Sequence, residues 1–124
     1  MKAITLLYVD DETQSLEILK TGMEERGYKV LTATSGPDAL DVLKKQSPDI
    51  IVTDLRMSPM NGFELYQEIK KDARFAATPI LFLTAVDDFL AQKYGKSLGV
   101  DAYIVKPFEI DNLDSIIRRK LGKL

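Results

Sequence analysis

The chain has 124 residues with 17 basic and 19 acidic side chains, a formal net charge of −2 that gives no general attraction to nucleic acid or to an anionic membrane. This length suits one domain, and we expect residues 1–124 to form a single unit with its own core. The sequence has no cysteine and no histidine, which excludes disulfides, thiol chemistry, histidine-based metal sites and Ser-His-Asp catalysis.

Five apolar runs alternate with five segments of helical periodicity along the chain. The runs predict strands at Ala3–Val9, Tyr28–Ala33, Asp49–Asp54, Ile80–Leu83 and Asp101–Val105. The periodic segments predict helices at Thr13–Arg26, from Ser35 to before Pro48, around Phe63–Ile69, at Asp87–Leu98 and from Ile110 to Leu121. Gly27 and Gly99 are the expected stops of the first and fourth helices, and Ala73–Thr78 is a connector.

The alternation of strands and helices predicts the fold class. Strands that are joined through helices must run parallel, with right-handed crossovers. Nearly all-apolar strands indicate a sheet that is covered on both faces. We therefore predict an α/β fold of the flavodoxin-like kind, with a doubly wound five-stranded parallel sheet between two helix layers. The strand order 2-1-3-4-5 is the common small version and is the one we expect.

Polar side chains stand where four of the five predicted strands end. Strand one is followed by Asp10 and Asp11, strand three ends at Asp54, strand four at Thr84, and strand five is followed by Lys106. In the predicted order these strands are neighbours, so the five side chains converge at one edge of the sheet. Close carboxylates repel unless a cation lies among them, and Mg²⁺ suits such a set. The neighbouring hydroxyl and ammonium suit an incoming phosphoryl group, with Asp54 as the nucleophile.

In this order and setting, the motifs resemble those of the receiver domains of two-component response regulators. The resemblance covers essentially the whole chain. It is carried by Asp10-Asp11, Asp54, Met57…Met60-Asn61-Gly62, Thr84-Ala85 and Lys106-Pro107.

The resemblance implies a phosphoacceptor and a metal site. Asp54 would accept a phosphoryl group from a phosphohistidine on a sensor histidine kinase or a histidine phosphotransfer protein. Mg²⁺ would be held by Asp11, Asp54 and the backbone carbonyl of Arg56, with Asp10 acting largely through water.

The resemblance also implies a switch. Lys106 would pair with the phosphoryl oxygens, the Lys106–Pro107 bond would be cis, and Thr84 and Tyr103 would be the switch pair. Phosphorylation would then change the surface formed by the fourth helix, the fifth strand and the fifth helix. That surface would control an output partner or domain. It would also be the face through which a homodimer could form. We expect a cytoplasmic protein without direct nucleic-acid or membrane contact, since no apolar run approaches the ~20 residues that span a bilayer.

The loop after Asp54 departs from the family pattern. Ser58 stands where the family usually has proline, and Pro59 comes next, while Asn61 replaces a common aspartate. Arg56 places a bulky cation two residues past Asp54. We hypothesise that its side chain covers the phosphorylation site and alters the rate of dephosphorylation.

Other functions remain open on the residues alone. A single strand-end aspartate is often only a helix cap or a turn former, and Tyr103 alone could be a packing residue. A haloacid-dehalogenase-type phosphatase also uses Asp, Thr, Lys and Mg²⁺, but its Asp-x-Asp pattern after strand one does not occur here. A flavodoxin-like nucleotide binder needs a phosphate loop after strand one, where this chain has Asp-Asp-Glu. An inactive scaffold of the same fold is the third alternative.

Overall fold

The computed structural model describes residues 2–85, 87–98 and 102–122. Its strands are β1 (Thr5–Val9), β2 (Lys29–Ala33), β3 (Ile50–Asp54), β4 (Ile80–Ala85) and β5 (Ala102–Lys106). Its helices are α1 (Thr13–Glu24), α2 (Gly36–Lys45), α3 (Gly62–Lys70), α4 (Phe89–Ser97) and α5 (Ile110–Lys120). The connector after α3 contains a short 3₁₀ helix, Ala73–Phe75.

The five strands form one parallel sheet in the order β2-β1-β3-β4-β5, which confirms the predicted fold class and strand order. The pairing brings the strand ends together. Val9 of β1 is the partner of Thr53 in β3, and Asp54 is the partner of Leu83 in β4. The residues that follow β1, end β3 and end β5 therefore lie along one edge of the sheet.

Side chains alternate along each strand between two hydrophobic clusters, one on each face of the sheet. In β1, Leu6 and Tyr8 belong to one cluster, and Leu7 and Val9 to the other. The first cluster also contains the buried residues of α1 and α5, and the second those of α2, α3 and α4. Alternate residues of each strand therefore lie on opposite faces of the sheet, the α1/α5 face and the α2/α3/α4 face.

Local signals begin and end the helices. The Ser35 hydroxyl accepts a hydrogen bond from the Asp38 N–H at the start of α2, and Asp88 caps α4 through the Ala91 N–H. Gly27 ends the turn after α1 with φ of 90°, a conformation that favours glycine. Several observed elements are one or two residues shorter than predicted, because terminal turns and strand ends lack a full set of backbone partners. In contrast, β4 extends two residues beyond the predicted Leu83, and β5 includes Lys106.

Two of the predicted boundary residues, Gly99 and Asp101, lie outside the described residues. Within residues 2–85, 87–98 and 102–122, no helix combines the length and the apolarity that crossing a bilayer requires.

Candidate functional site

Three carboxylates meet at the carboxyl edge of the sheet. Asp10 follows the last residue of β1, and Asp54 is the last residue of the adjacent strand β3. One carboxylate oxygen from each of Asp10, Asp11 and Asp54 lies within 4.8 Å of the other two. Asp10 is 0% exposed and Asp54 is 9% exposed, whereas Asp11 is exposed. The structure thus brings together the three acids that the sequence placed at strand ends, with two of them buried.

Asp54 is a buried carboxylate with one cation beside it. Its Oδ1 accepts a hydrogen bond of 2.9 Å from the Leu55 N–H, and its Oδ2 lies 3.2 Å from Lys106 Nζ. Burial raises the pKa of Asp54 and the charge of Asp10 adds to this, while Lys106 and the Leu55 N–H act in the opposite direction. The net result is a raised pKa of Asp54, with burial as the largest cause.

The alternation of side chains along the strands places the polar residues of the site on two different faces of the sheet. Asp54 lies two residues after Val52, and Lys106 lies two residues after Ile104, so both side chains belong to the α1/α5 face. Thr84 lies on the opposite, α2/α3/α4 face of the sheet and is 2% exposed. Its hydroxyl donates only a long hydrogen bond of 3.4 Å to the carbonyl of Ala85. The weak contact leaves Thr84 available to bind a stronger acceptor.

Both oxygens of Asp10 receive a hydrogen bond. The Tyr8 hydroxyl donates to Oδ2 at 2.6 Å, and the backbone N–H of Glu12 donates to Oδ1 at 3.0 Å. Burial, reinforced by Asp10, raises the pKa of Tyr8 above its usual value, so the phenol keeps its proton. Sequence reasoning assigned Tyr8 only to the buried strand. The signal it missed is the spacing of two residues, which places Tyr8 and Asp10 on the same face.

The loop after β3 is held close to Asp54. The Gly62 N–H donates to the Leu55 carbonyl at 2.9 Å, and a Cβ at Gly62 would lie 2.6 Å from the carbonyl oxygen of Asp54. Glycine is therefore required for this approach of two backbone segments. Asn61 caps α3 in a capping box with Glu64. Asn61 thus retains a structural role where the family commonly has aspartate.

Two peptide bonds to proline are cis, at Ser58–Pro59 and at Lys106–Pro107. The first lies in the loop after β3, and the second follows the last residue of β5. The structure therefore has a cis bond at the position for which the resemblance implied one, and a second cis bond that the sequence analysis did not anticipate.

The Arg56 side chain spans from the β3–α3 loop to the start of α4. Its Nε and Nη2 donate to the two oxygens of Asp88, at 2.8 Å and 2.7 Å. The arginine is 74% exposed and Asp88 is 11% exposed. The pair lowers the pKa of Asp88, with the hydrogen bond from Arg56 as the main cause. The guanidinium is therefore engaged with the cap of α4, a partner that the sequence analysis did not identify.

Tyr103 packs between β4 and α4. Its ring centroid lies 5.9 Å from that of Phe82, and its hydroxyl donates to the Gln92 carbonyl at 3.4 Å. A Cβ at Gly95 would overlap the Tyr103 hydroxyl, so a glycine at this position of α4 makes room for it. Burial raises the pKa of Tyr103. Tyr103 and Thr84 lie on the α2/α3/α4 face, opposite to Asp54 and Lys106.

The acidic cluster fits a hard divalent cation. Its donors are carboxylate oxygens, the ligands that Mg²⁺ prefers, and their mutual distances are those of a single metal site. The exposed position of Asp11 leaves one side of the cluster open, which suits an ion that retains several waters. Asp10, Asp11 and Asp54 could therefore hold Mg²⁺ together.

Comparison with known proteins agrees with the fold and identifies the family. The response regulator receiver domain family matches residues 6–118. The chain is 39% identical over 118 residues to a protein of Guillardia theta named probable transcriptional regulator ycf27, covering 95% of this chain and 45% of that protein. It is 35% identical over 121 residues to response regulator Rre1 of Synechocystis sp., covering 97% of this chain and 52% of that protein. The chain thus spans about half the length of the curated relatives it matches.

Solved structures show the same fold over nearly the whole chain. The chemotaxis response regulator CheY4 of Vibrio cholerae superimposes with a TM-score of 0.89 at 31% identity, covering 97% of this chain and 100% of that one. The receiver domain of a signal transduction histidine kinase from Syntrophus aciditrophicus gives a TM-score of 0.89 at 30% identity, with 98% and 92% covered. The chain therefore belongs to the response regulator receiver domains, the signalling switches of two-component systems.

Proposed function

We propose that Asp54 accepts a phosphoryl group from a phosphohistidine of a sensor histidine kinase or a histidine phosphotransfer protein. The observation that carries this proposal is a buried carboxylate 3.2 Å from Lys106 Nζ and beside two further acids. In the transfer, an oxygen of Asp54 forms a bond to phosphorus while the phosphorus–nitrogen bond of the donor breaks and the imidazole leaves. The protein catalyses this step itself, and it catalyses its own dephosphorylation when water attacks the same phosphorus atom.

The neighbouring residues have distinct roles in this proposal. Lys106 pairs with the phosphoryl oxygens as negative charge accumulates on them. Thr84 donates its weakly bound hydroxyl to one of these oxygens. Asp11, Asp54 and the backbone carbonyl of Arg56, with Asp10 acting largely through water, would hold Mg²⁺, which would supply positive charge to the transferring group.

The output of the switch is proposed to run through Thr84 and Tyr103. If Thr84 moves toward the phosphoryl group, Tyr103 can turn inward into the space that Thr84 leaves. Both residues share one face of the sheet with α4, and Tyr103 touches α4 at Gln92 and Gly95. The surface of α4, β5 and α5 would then change shape. This surface already exposes large apolar side chains: Phe89, Tyr94 and Val105.

Exposed apolar side chains at this surface favour a protein partner, an output domain or a second copy of the chain over nucleic acid. A cavity of about 640 Å³ beside the acidic cluster, between α1 and the β5–α5 loop, gives the phosphohistidine donor an apolar surface to approach. Its lining includes Ile18, Leu19, Pro107 and Phe108. A cytoplasmic location, without contact to membrane or nucleic acid, is part of the same proposal.

The proposal is tested by incubating the purified protein with acetyl phosphate and Mg²⁺. Intact-mass spectrometry is expected to show one added phosphoryl group, and peptide mapping after borohydride reduction is expected to locate it at Asp54. Chelating the metal with EDTA should prevent the uptake. Uptake at another residue would contradict the assignment. Steady hydrolysis of a phosphomonoester without a phosphorylated protein would instead favour the phosphatase alternative.

Replacing Arg56 with alanine is expected to shorten the lifetime of the phosphorylated protein several-fold. The Arg56–Asp88 pair ties the loop after the phosphoacceptor to the start of α4. Without it, both segments can move apart and admit water to the phosphoryl group. The lifetime is measured from the loss of the phosphoryl mass after removal of acetyl phosphate.

An Arg26→Ala variant is the matched control for this prediction. Arg26 also donates through Nε and Nη2 to an aspartate, Asp111, but this pair joins α5 to the turn after α1. Arg26→Ala should leave the phosphoryl lifetime unchanged. Equal lifetimes for Arg56→Ala and wild type would show that the Arg56 side chain has no part in timing.

A further inference from the structure

A tyrosine hydroxyl reaches the acidic cluster from inside the core. Tyr8 and Asp10 are two residues apart on β1 and the position after it, so their side chains project from the same face. A spacing of two residues corresponds to about 6.6 Å along the strand. A tyrosine side chain is long enough to span this distance, and its hydroxyl lies 2.6 Å from Asp10 Oδ2. An aliphatic residue at this position could not make the contact.

The Asp10 carboxylate is held at both oxygens by donors from its own segment. Oδ2 accepts from Tyr8 and Oδ1 accepts from the backbone N–H of Glu12. Asp10 is 0% exposed and Tyr8 is 2% exposed, so the hydrogen bond between them is buried. In the described part of the chain, every buried side-chain nitrogen or oxygen has a hydrogen-bond partner. Removing the Tyr8 hydroxyl alone would therefore leave Oδ2 without its partner.

We propose that Tyr8 is a positioning residue of the metal site, whose hydroxyl holds the Asp10 carboxylate in the orientation that supports Mg²⁺ binding. This inference rests on the proposed function, because it assumes that Asp10, Asp11 and Asp54 hold the ion. Tyr8 is not among the three acids of the cluster, and its hydroxyl donates to Oδ2 of Asp10. It acts through Asp10, as groups that hydrogen-bond a ligating carboxylate do in metal sites generally.

Two physical effects of this hydrogen bond oppose each other. The donated proton withdraws some negative charge from Asp10, which would weaken its attraction for a cation. The same bond fixes the carboxylate and keeps a buried oxygen satisfied, which favours a preformed site. A carboxylate has about four acceptor positions, and Tyr8 and Glu12 use two of them, so positions remain for water or metal. We expect orientation to be the larger effect, so removing the hydroxyl should weaken metal binding.

The test is Mg²⁺ titration of the unphosphorylated Tyr8→Phe protein by isothermal calorimetry. Phenylalanine keeps the ring in the core and removes only the hydroxyl. We expect the Kd for Mg²⁺ to rise about 10-fold, the lower end of the range for lost partners of metal ligands. A second readout is the Glu12 amide in NMR spectra, whose proton chemical shift should change because its acceptor, Asp10, becomes free to rotate.

The chain offers a matched control in Tyr28. This tyrosine lies in the same hydrophobic cluster as Tyr8, is 5% exposed, and also donates its hydroxyl to an aspartate, Asp114. The Tyr28–Asp114 pair joins the start of β2 to α5 and includes none of the three acids of the cluster. Tyr28→Phe should therefore lose a comparable hydrogen bond without changing the Mg²⁺ affinity. Circular dichroism identifies a temperature at which all variants are folded, and the titrations are made there.

The outcomes separate this inference from the proposed function. A 10-fold weaker affinity in Tyr8→Phe alone supports the positioning role. Equal or tighter Mg²⁺ binding by folded Tyr8→Phe would overturn it and leave the acidic metal site intact. A loss of similar size in Tyr28→Phe would also overturn it, because the effect would then reflect general loosening of the core. No saturable Mg²⁺ binding by the wild-type chain would overturn the metal site of the proposed function itself.

Discussion

An Asp54→Asn variant is expected to take up no phosphoryl group from acetyl phosphate in the presence of Mg²⁺. Asparagine keeps the shape of the side chain but replaces the nucleophilic carboxylate with a neutral amide. Loss of a nucleophile typically lowers the rate of group transfer by several orders of magnitude. Asp10 offers no ready substitute, because it is fully buried and both of its oxygens already accept hydrogen bonds. Intact-mass spectrometry over a time course measures the uptake.

Asp41→Asn is the control for this variant. Asp41 is an exposed carboxylate on α2 that pairs with Lys44 at the surface. The control should reach the same phosphoryl content as wild type at the same rate. Uptake of one phosphoryl group by folded Asp54→Asn would place the phosphoacceptor elsewhere and would remove the basis of the proposed mechanism.

The place of the acidic cluster could be predicted because it depends on simple physical rules. Apolar runs and helical periodicity gave the alternation of elements, and parallel strands joined through helices put their carboxyl ends on one edge. Asp10 and Asp54 then had to be neighbours once β1 and β3 were paired. The alternation of side chains along a strand likewise explains why Thr84 and Lys106 lie on different faces of the sheet. These relations depend on backbone geometry, which local sequence patterns report well.

The contacts that could not be predicted are between side chains. Arg56 and Asp88 are 32 residues apart, and no periodicity links the loop after β3 to the cap of α4. The cap role of Asp88 is a local interaction with the N–H of Ala91, three residues along the chain. Its second role, as the partner of Arg56, depends on how two loops pack at the sheet edge. Tyr8 was missed for another reason, because a large residue in an apolar run is ordinarily a core residue.

In the absence of Mg²⁺, Asp54→Asn is expected to be more stable than the wild-type protein at neutral pH. Burial and the nearby charge of Asp10 raise the pKa of Asp54, so its ionised form opposes folding despite Lys106. The neutral amide removes this penalty. A gain of about 1 kcal/mol would raise the melting temperature of a domain of this size by roughly 4 °C. Thermal unfolding followed by circular dichroism measures the difference, with Asp41→Asn as the surface control.

The pH dependence of this difference follows from the direction of the shift. Below the ordinary pKa of 3.8, Asp54 is protonated in both the folded and the unfolded chain, and it adds no penalty. Above that pH the unfolded chain releases the proton first, so wild-type stability falls as the pH rises toward the raised folded pKa. Above the raised folded pKa, Asp54 causes no further change of wild-type stability with pH. The advantage of Asp54→Asn should therefore be absent in strong acid and fully developed at neutral pH.

Adding Mg²⁺ should reverse the order of the two proteins at neutral pH. An ion that binds only the folded state at about 100 times its Kd stabilises it by about 2.7 kcal/mol, which exceeds the expected advantage of the variant. The wild-type site has three carboxylates for the ion, whereas Asp54→Asn retains Asp10 and Asp11 and should gain much less. If adding Mg²⁺ makes the wild-type melting temperature higher than that of Asp54→Asn, the buried charge of Asp54 contributes to metal binding. Equal Mg²⁺ stabilisation of both proteins would show that Asp54 is not a ligand, even if it is the phosphoacceptor.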